Sequence, residues 1–239
     1  MRILFLAHSF NSLTQRLFVE LREAGHEVSV EFDINDAVTE DAVQLFAPDL
    51  IIAPFLKRAI PASVWRRYTC FIVHPGIIGD RGPSALDWAI LDAECCWGVT
   101  VLEANADMDA GDIWASVEFP MRNASKSSLY RGELTRAAVA AVRLAVARFQ
   151  DRSFRPVPLA EAVCRGRQRP LVRQSDRQIH WGVDPTPTVL RKIRSADGFP
   201  GVKAELAGRE LQVFDARPAS DYSGTPGELV AVSGPAVAV

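Results

Sequence analysis

Thr69-Cys70-Phe71-Ile72-Val73-His74 is an apolar run closed by a single imidazole. It opens into Pro75-Gly76-Ile77-Ile78-Gly79-Asp80-Arg81-Gly82-Pro83-Ser84, which is polar and glycine-rich. A second run, Trp97-Gly98-Val99-Thr100-Val101-Leu102-Glu103, leads into Asp107-Met108-Asp109-Ala110-Gly111-Asp112. Short apolar runs bounded by glycine, proline and acids are strand signals. His74 and a cluster of carboxylates therefore each follow the end of a predicted strand. In an open α/β sheet, ligands bind in the crevice outside the strand ends. The pattern predicts that His74 and Asp109 converge on one crevice.

Working outward, residues 1–150 alternate strand and helix signals. Strands are predicted at 2–7, 27–32, 50–53, 69–73, 97–102 and 113–119. A helix is predicted over 14–24, with Leu17, Phe18 and Leu21 at helical spacing and Gly25 as its stop. A short helix starts at Thr39-Glu40-Asp41-Ala42 and ends before Pro48. Another starts near Ser84 and carries Leu86, Ala89, Ile90 and Ala93 on one side. A long one, rich in Ala and Arg, runs from about 128 to 149. Such alternation argues an α/β fold with a doubly wound, mainly parallel, Rossmann-like sheet. Residues 151–185 are rich in proline and arginine, including Arg165-Gly166-Arg167-Gln168-Arg169, and read as a linker that wraps or bridges. Residues 186–239 read as the start of a small β-rich domain: a short helix at 186–196, then strands at 201–206, 210–214 and 228–232. The chain ends inside an apolar alternation, Pro235-Ala236-Val237-Ala238-Val239. A last strand with no partner after it exposes edge groups, so the expectation is a piece cut from a longer protein.

The 239 residues are 48% hydrophobic and 23% charged, an ordinary composition for a soluble globular chain. A formal net charge of −2 argues against a general affinity for DNA. No apolar stretch approaches the ~20 residues that span a bilayer. Met1-Arg2-Ile3-Leu4-Phe5-Leu6-Ala7-His8 lacks a small-residue cleavage pattern and reads as a buried first strand. Cys70, Cys95, Cys96 and Cys164 have neither zinc nor redox-pair spacing. A reducing cytoplasm is the simplest setting, and no metal site is predicted.

Two readings stand for His74: a hydrogen-bonded core histidine, or an imidazole that moves a proton or stabilises negative charge. Gly76, Gly79 and Gly82, which allow close approach of backbone to a ligand, favour the second. Asp109 alone reads as a turn residue. Three acids in six residues, Asp107 to Asp112, should raise at least one carboxyl pKa by crowding. The absence of Gly-x-Gly-x-x-Gly after the first strand argues against a dinucleotide, and the absence of Gly-x-Ser-x-Gly against a serine hydrolase. The loop His8-Ser9-Phe10-Asn11-Ser12-Leu13-Thr14-Gln15 suits an anion at a helix start, or plain capping by Ser12 or Thr14. Arg191, Lys192 and Arg194 form either a solvated helix face or a phosphate site.

Val73-His74, the glycine-rich loop, Gly98-Val99-Thr100 and Asp107 to Asp112 resemble the 10-formyltetrahydrofolate-dependent formyltransferases. Those enzymes set an Asn, a His and an Asp around the formyl carbon, and the resemblance places the His at His74 and the Asp at Asp109. The Asn should lie two residues before the His, where this chain has Ile72. Loss of one oxyanion donor costs roughly 2.7–4 kcal/mol of transition-state stabilisation.

The chain is still more similar to the N-terminal region of the HypX/HoxX-type hydrogenase maturation factors. The residues that carry this are Phe10 to Gln15, Pro54-Phe55-Leu56-Lys57-Arg58-Ala59-Ile60-Pro61, His74-Pro75-Gly76, Gly79 to Pro83, Leu86 to Ile90 and Arg191-Lys192-Ile193-Arg194-Ser195-Ala196-Asp197. The resemblance implies a formyltransferase fold followed by a truncated, OB-like domain. It implies formyl transfer from 10-formyltetrahydrofolate to coenzyme A, the first step of carbon monoxide production for the [NiFe] centre of hydrogenase. A missing C-terminal crotonase-like domain would release the carbon monoxide. It also implies folate contacts at Phe55, Leu56, Lys57, Ile60, Asp107 and Asp112, and a coenzyme A path along Gln15, Arg131, Arg191, Lys192 and Arg194. The alternatives are a methionyl-tRNA- or sugar-nucleotide-directed formyltransferase, or a non-catalytic folate-binding module.

Overall fold

The computed structural model describes residues 1–196, 201–234 and 236–239. Asp197 of the basic motif and Pro235 of the terminal alternation lie outside the described residues. Six strands form one sheet: β1 (Arg2–Ala7), β2 (Glu27–Phe32), β3 (Leu50–Phe55), β4 (Cys70–His74), β5 (Cys96–Glu103) and β6 (Ile113–Pro120), in the order β2-β1-β3-β4-β5-β6. Period-two alternation sends their side chains to two cores. Ile3, Phe5, Leu50, Ile52, Phe71, Val73, Val99 and Val101 pack on one face against α1 (Ser12–Glu23), α4 (Ala85–Leu91) and α6 (Thr135–Gln150). Leu4, Leu6, Ile51, Ala53 and Cys70 pack on the other against α2 (Asp36–Phe46) and α3 (Ala62–Trp65).

The sheet is parallel from β2 through β4, but β4 with β5 and β5 with β6 pair antiparallel. This corrects the strand-end argument made from sequence. Phe71 pairs with Glu103 and His74 with Thr100, and the Ala104 N–H donates to the Cys70 carbonyl at 2.7 Å. The acidic loop therefore leaves β5 at the edge where β4 begins, opposite to His74. Convergence with His74 requires residues 104–112 to fold back over the sheet.

Local differences from the expected elements have local causes. Asn35 caps α2 by accepting from Val38 N at 3.0 Å, so the helix starts at Asp36 rather than Thr39. Asn11, not Ser12 or Thr14, caps α1, accepting from Thr14 N at 3.0 Å. The long helix expected over 128–149 is α5 (Lys126–Leu129), a π-helical turn at Tyr130–Leu134 and then α6, with Thr135 Oγ1 donating to the Tyr130 carbonyl at 2.7 Å.

Residues 151–185 make specific backbone bonds to the sheet and its loops. Val157 exchanges two hydrogen bonds with Ile113, at 2.8 and 3.0 Å. Arg165 N and Gly166 N both donate to the Ile78 carbonyl, and Arg169 N donates to the Arg81 carbonyl at 2.9 Å. The arginine-rich stretch thus lies along the loop that follows His74. Beyond it, α7 (Thr186–Ser195) packs with the hairpin β7 (Val202–Leu206) and β8 (Arg209–Val213) around Ile179, Ile193, Val202 and Ala204. The strand expected at 228–232 is β9 (Ala231–Ser233). It pairs antiparallel with β10 (Ala236–Ala238), so the terminal alternation read as unpartnered has a partner on one side.

Candidate functional site

His74 ends β4 and is buried. Alternation puts it on the same face as Ile72, the face covered by α2 and α3 farther along the sheet. Over β4 that face carries α3, through Val64, together with the first residue of the returning loop, Ala104. The loop after His74 is pinned to β5: Trp97 Nε1 donates to the Pro75 carbonyl and Thr100 Oγ1 to the Gly76 carbonyl, both at 2.8 Å. The two loops then hold each other. Gly82 N donates to Asp109 Oδ2 at 3.0 Å, and Arg81 Nε to the Met108 carbonyl at 3.2 Å. Asp109 takes a left-handed φ of 52°, a conformation that costs of order 1–3 kcal/mol and persists where the surroundings over-determine it. The result is His74 Nδ1 at 3.5 Å from Asp109 Oδ1.

The other ring nitrogen, Nε2, lies 2.8 Å from Asp80 Oδ2. Sequence reasoning missed Asp80, because one acid in a glycine-rich loop carries no signal beyond a turn. Its side chain is 1% exposed. The packing around it is close. A Cβ on Gly76 would stand 2.5 Å from both Asp80 Oδ2 and His74 Nε2, and one on Gly166 would strike the backbone of Asp80. Burial of the imidazole opposes positive charge, but the hydrogen bonds and charges of Asp109 and Asp80 outweigh it and raise its pKa to about 9. Asp109 moves the opposite way. Burial pushes its carboxyl up, yet His74, then the Gly82 N–H and Arg81, hold it below the usual range. The rise expected from crowded acids does not govern Asp109, whose nearest charge is the imidazolium; Asp107 and Asp112 are exposed. The site pairs a buried cationic donor with a carboxylate, next to the apolar side chain of Ile72.

The remaining predicted residues scatter. Phe55 ends β3, half-buried, with its ring edge on His8, and Lys57 Nζ sits 6.0 Å from its centroid. Leu56 is half-buried beside the second core, and Ile60 is buried within it, so Ile60 offers a ligand no side-chain surface. Gln15 is exposed and donates to the Phe10 carbonyl at 2.8 Å. Lys192 is engaged by Asp184 at 2.5 Å and by the Gln178 carbonyl at 2.7 Å, which makes it a tie within the C-terminal part rather than a free cation. Arg191 donates to Thr188 Oγ1 at 2.9 Å.

A cavity of about 490 Å³ opens between α4, the 126–131 turn, the wrapping segment and the end of α7. Arg131 lines it; Gln15, Arg191, Lys192 and Arg194 do not. Its other cations, Lys126 and Arg177, were not foreseen. Both pair with the buried Asp87, Lys126 at 2.7 Å. Among the described residues, no group of His, Cys, Asp or Glu could hold a metal ion, and no helix is long and apolar enough to cross a membrane.

Residues 33–142 match the formyl transferase family, and residues 171–239 match the formyl transferase C-terminal domain. The hydrogenase maturation factor HoxX of Bradyrhizobium diazoefficiens is 58% identical over 231 residues, 97% of this chain and 41% of that protein. HypX from Aquifex aeolicus, solved in complex with tetrahydrofolic acid, superposes with a TM-score of 0.91 at 48% identity, over 99% of this chain and 41% of that one. The chain thus spans less than half the length of these relatives. Methionyl-tRNA formyltransferase from Clostridium thermocellum shares the fold, with a TM-score of 0.72 at 16% identity, over 93% of this chain and 95% of that one.

Proposed function

From the place of this chain in the formyl transferase family, to which it belongs, we propose that it takes the formyl group of 10-formyltetrahydrofolate and passes it to coenzyme A. The observation that carries this is the placement of His74 Nδ1 at 3.5 Å from Asp109 Oδ1 in a fold of that family. Attack on the formyl carbon generates an oxyanion. The imidazolium of His74 is a donor able to meet that charge in a dry setting. Asp109, held ionised, accepts the proton released by the nucleophile and returns it to the departing N10. The carbon–sulfur bond forms as the carbon–N10 bond breaks, leaving a formyl thioester and tetrahydrofolate.

A thiol suits this site better than an amine. The amide donor implied by the resemblance is replaced by Ile72, and a thiolate needs less help than a neutral amine to attack a carbonyl. The folate ring is proposed to lie along Phe55, Leu56 and Lys57 and the loop around Asp107, Asp109 and Asp112, with Ile60 contributing through its backbone. The coenzyme A path is proposed through the cavity that Lys126, Arg131 and Arg177 line, which Lys192 does not reach. In that scheme carbon monoxide release, which returns the formyl hydrogen to sulfur, belongs to a crotonase-like domain outside these 239 residues, and the setting is the cytoplasm.

Turnover of 10-formyltetrahydrofolate with and without coenzyme A tests the reading. Coenzyme A-dependent release of tetrahydrofolate, abolished by Asp109→Ala, is expected. Efficient formylation of methionyl-tRNA or a sugar nucleotide without coenzyme A overturns the acceptor. No calorimetric binding of tetrahydrofolate overturns the folate site, and binding without any transfer marks a folate-binding module.

A further inference from the structure

We infer that Asp80 is a positioning residue for His74: it fixes Nε2–H and leaves Nδ1–H as the donor facing Asp109 and the reacting carbonyl. The inference deepens the proposed function and rests on it for the identity of that carbonyl. Its geometry stands by itself.

Asp80 Oδ2 accepts from Nε2 at 2.8 Å, a good charge-assisted distance, whereas Asp109 stands off Nδ1 at 3.5 Å. One nitrogen is therefore tied and the other only faced. With a carboxylate at each nitrogen, a neutral ring would turn a lone pair toward one of them, so both nitrogens carry hydrogen. Asp80 is buried, and its Oδ1 has no hydrogen-bond partner among the described residues. A buried carboxylate holds its charge only where it is paired, and the cation it meets is His74.

The surrounding chain is shaped to this pair. Gly76 leaves room for the hydrogen bond itself, and Gly166 lets the wrapping segment lie directly on the backbone of Asp80. Arg165 N and Gly166 N, both donating to the Ile78 carbonyl, hold that segment down over the buried Asp80.

This arrangement answers the substitution at Ile72. A neutral amide donor is missing from the face of β4, and a full positive charge whose Nδ1–H is turned toward Asp109 stands two residues away on that face. His74 then serves as a donor at neutral pH and not as a base, which leaves base chemistry to Asp109.

The test is ¹⁵N-histidine NMR on the whole chain without folate, from pH 5.5 to 10, with His74 assigned through His74→Gln. Both ring nitrogens of His74 are expected to be protonated at pH 7. Asp80→Asn should lower its titration midpoint by about one pH unit or more, and the alkaline limb of the formyl-transfer pH profile should move with it. A midpoint unmoved in a folded Asp80→Asn chain overturns the inference. Should that variant fail to fold, the wild-type spectrum decides, since a neutral single-tautomer ring at pH 7 also overturns it. An Asp80-dependent midpoint in a chain that transfers no formyl group keeps the inference for the pair and overturns the proposed function instead.

Discussion

Ile72 stands two residues before His74 on β4, on the same face of the sheet, and pairs across to Leu102 of β5. It is half-buried and packs against the core formed with Ala53, Ile60 and Val64. An apolar side chain thus stands where the resemblance to the formyltransferases places an amide, and where the proposed reaction would use one. Ile72→Asn exchanges packing for a polar group with no partner in the free protein. The variant is expected to be less stable by about 1–3 kcal/mol in urea unfolding, and to raise transfer to amine acceptors at least tenfold. An unchanged amine rate in a folded variant would show that the missing donor does not set the acceptor.

The His74–Asp109 pair makes stability depend on pH, and the sign follows from the two shifts. The pKa of His74 is raised from 6.5 to about 9. The folded state therefore holds that proton more tightly, and the contribution is full below 6.5 and lost as pH rises through 9. The pKa of Asp109 is lowered from 3.8, so its contribution is present above 3.8 and lost as pH falls below it. Urea midpoints should form a plateau between these limits and decline from pH 6.5 to 9. His74→Gln should flatten the alkaline decline; a decline of the same size in that variant assigns it elsewhere.

The reading of β1 and β2 from sequence matched to the residue, because β1 is a short apolar run and β2 a strict alternation of polar and apolar residues, each bounded by polar or glycine residues. The direction of β5 and β6 was not legible. An apolar run reads the same for a parallel and an antiparallel strand, and the antiparallel return depends on a short connection after α4 that sequence spacing leaves open. The convergence of His74 and Asp109 was legible, but not the route to it, since the fold-back of 104–112 rests on Gly82 and Arg81 from another loop. Asp80 was hidden for a different reason: its burial is produced by Gly166, far along the chain, and nothing local announces it. The partner of Lys192 was not legible either, because a cation on a basic helix gives no sign of an acid at Asp184.

Gly76 tests how tightly the pair at His74 is packed. A methyl group there would stand 2.5 Å from both His74 Nε2 and Asp80 Oδ2, atoms that neither a rotamer change nor solvent can easily relieve. Gly76→Ala is expected to cost about 1–3 kcal/mol, as overpacking of a filled interior does, and to lower the His74 titration midpoint by pushing the ring off Asp80. Gly25, with open space at its Cβ position, supplies a control: Gly25→Ala strains only the backbone at φ 85° and should leave the His74 midpoint where it is. Equal midpoints in both variants would show that the glycine does not serve the pair.

Asp87 ties α4 to the segment that leads into α7. It is buried on α4, where it meets Lys126 at 2.7 Å and the guanidinium of Arg177. Arg177 in turn donates to Ser195 Oγ and to the Ser195 carbonyl, each at 3.0 Å, at the C-terminal end of α7. A cation at that end of a helix is favourably placed against the helix dipole, so one carboxylate orients the residue that docks α7. Removing one partner from a buried ion pair leaves the other desolvated without compensation, at about 3–5 kcal/mol. Asp87→Ala should therefore release the C-terminal part before the sheet unfolds. Limited proteolysis should cut residues 151–185 faster, and hydrogen exchange should rise in α7 and β7 while β1 and β3 stay protected. Arg177→Lys keeps the charge but loses the fork that reaches Asp87 and Ser195 together, so it should fall between wild type and Asp87→Ala. Uniform loss of protection across the sheet and α7 in Asp87→Ala would mean that the two parts unfold as one unit and that this ion network does not mark a seam.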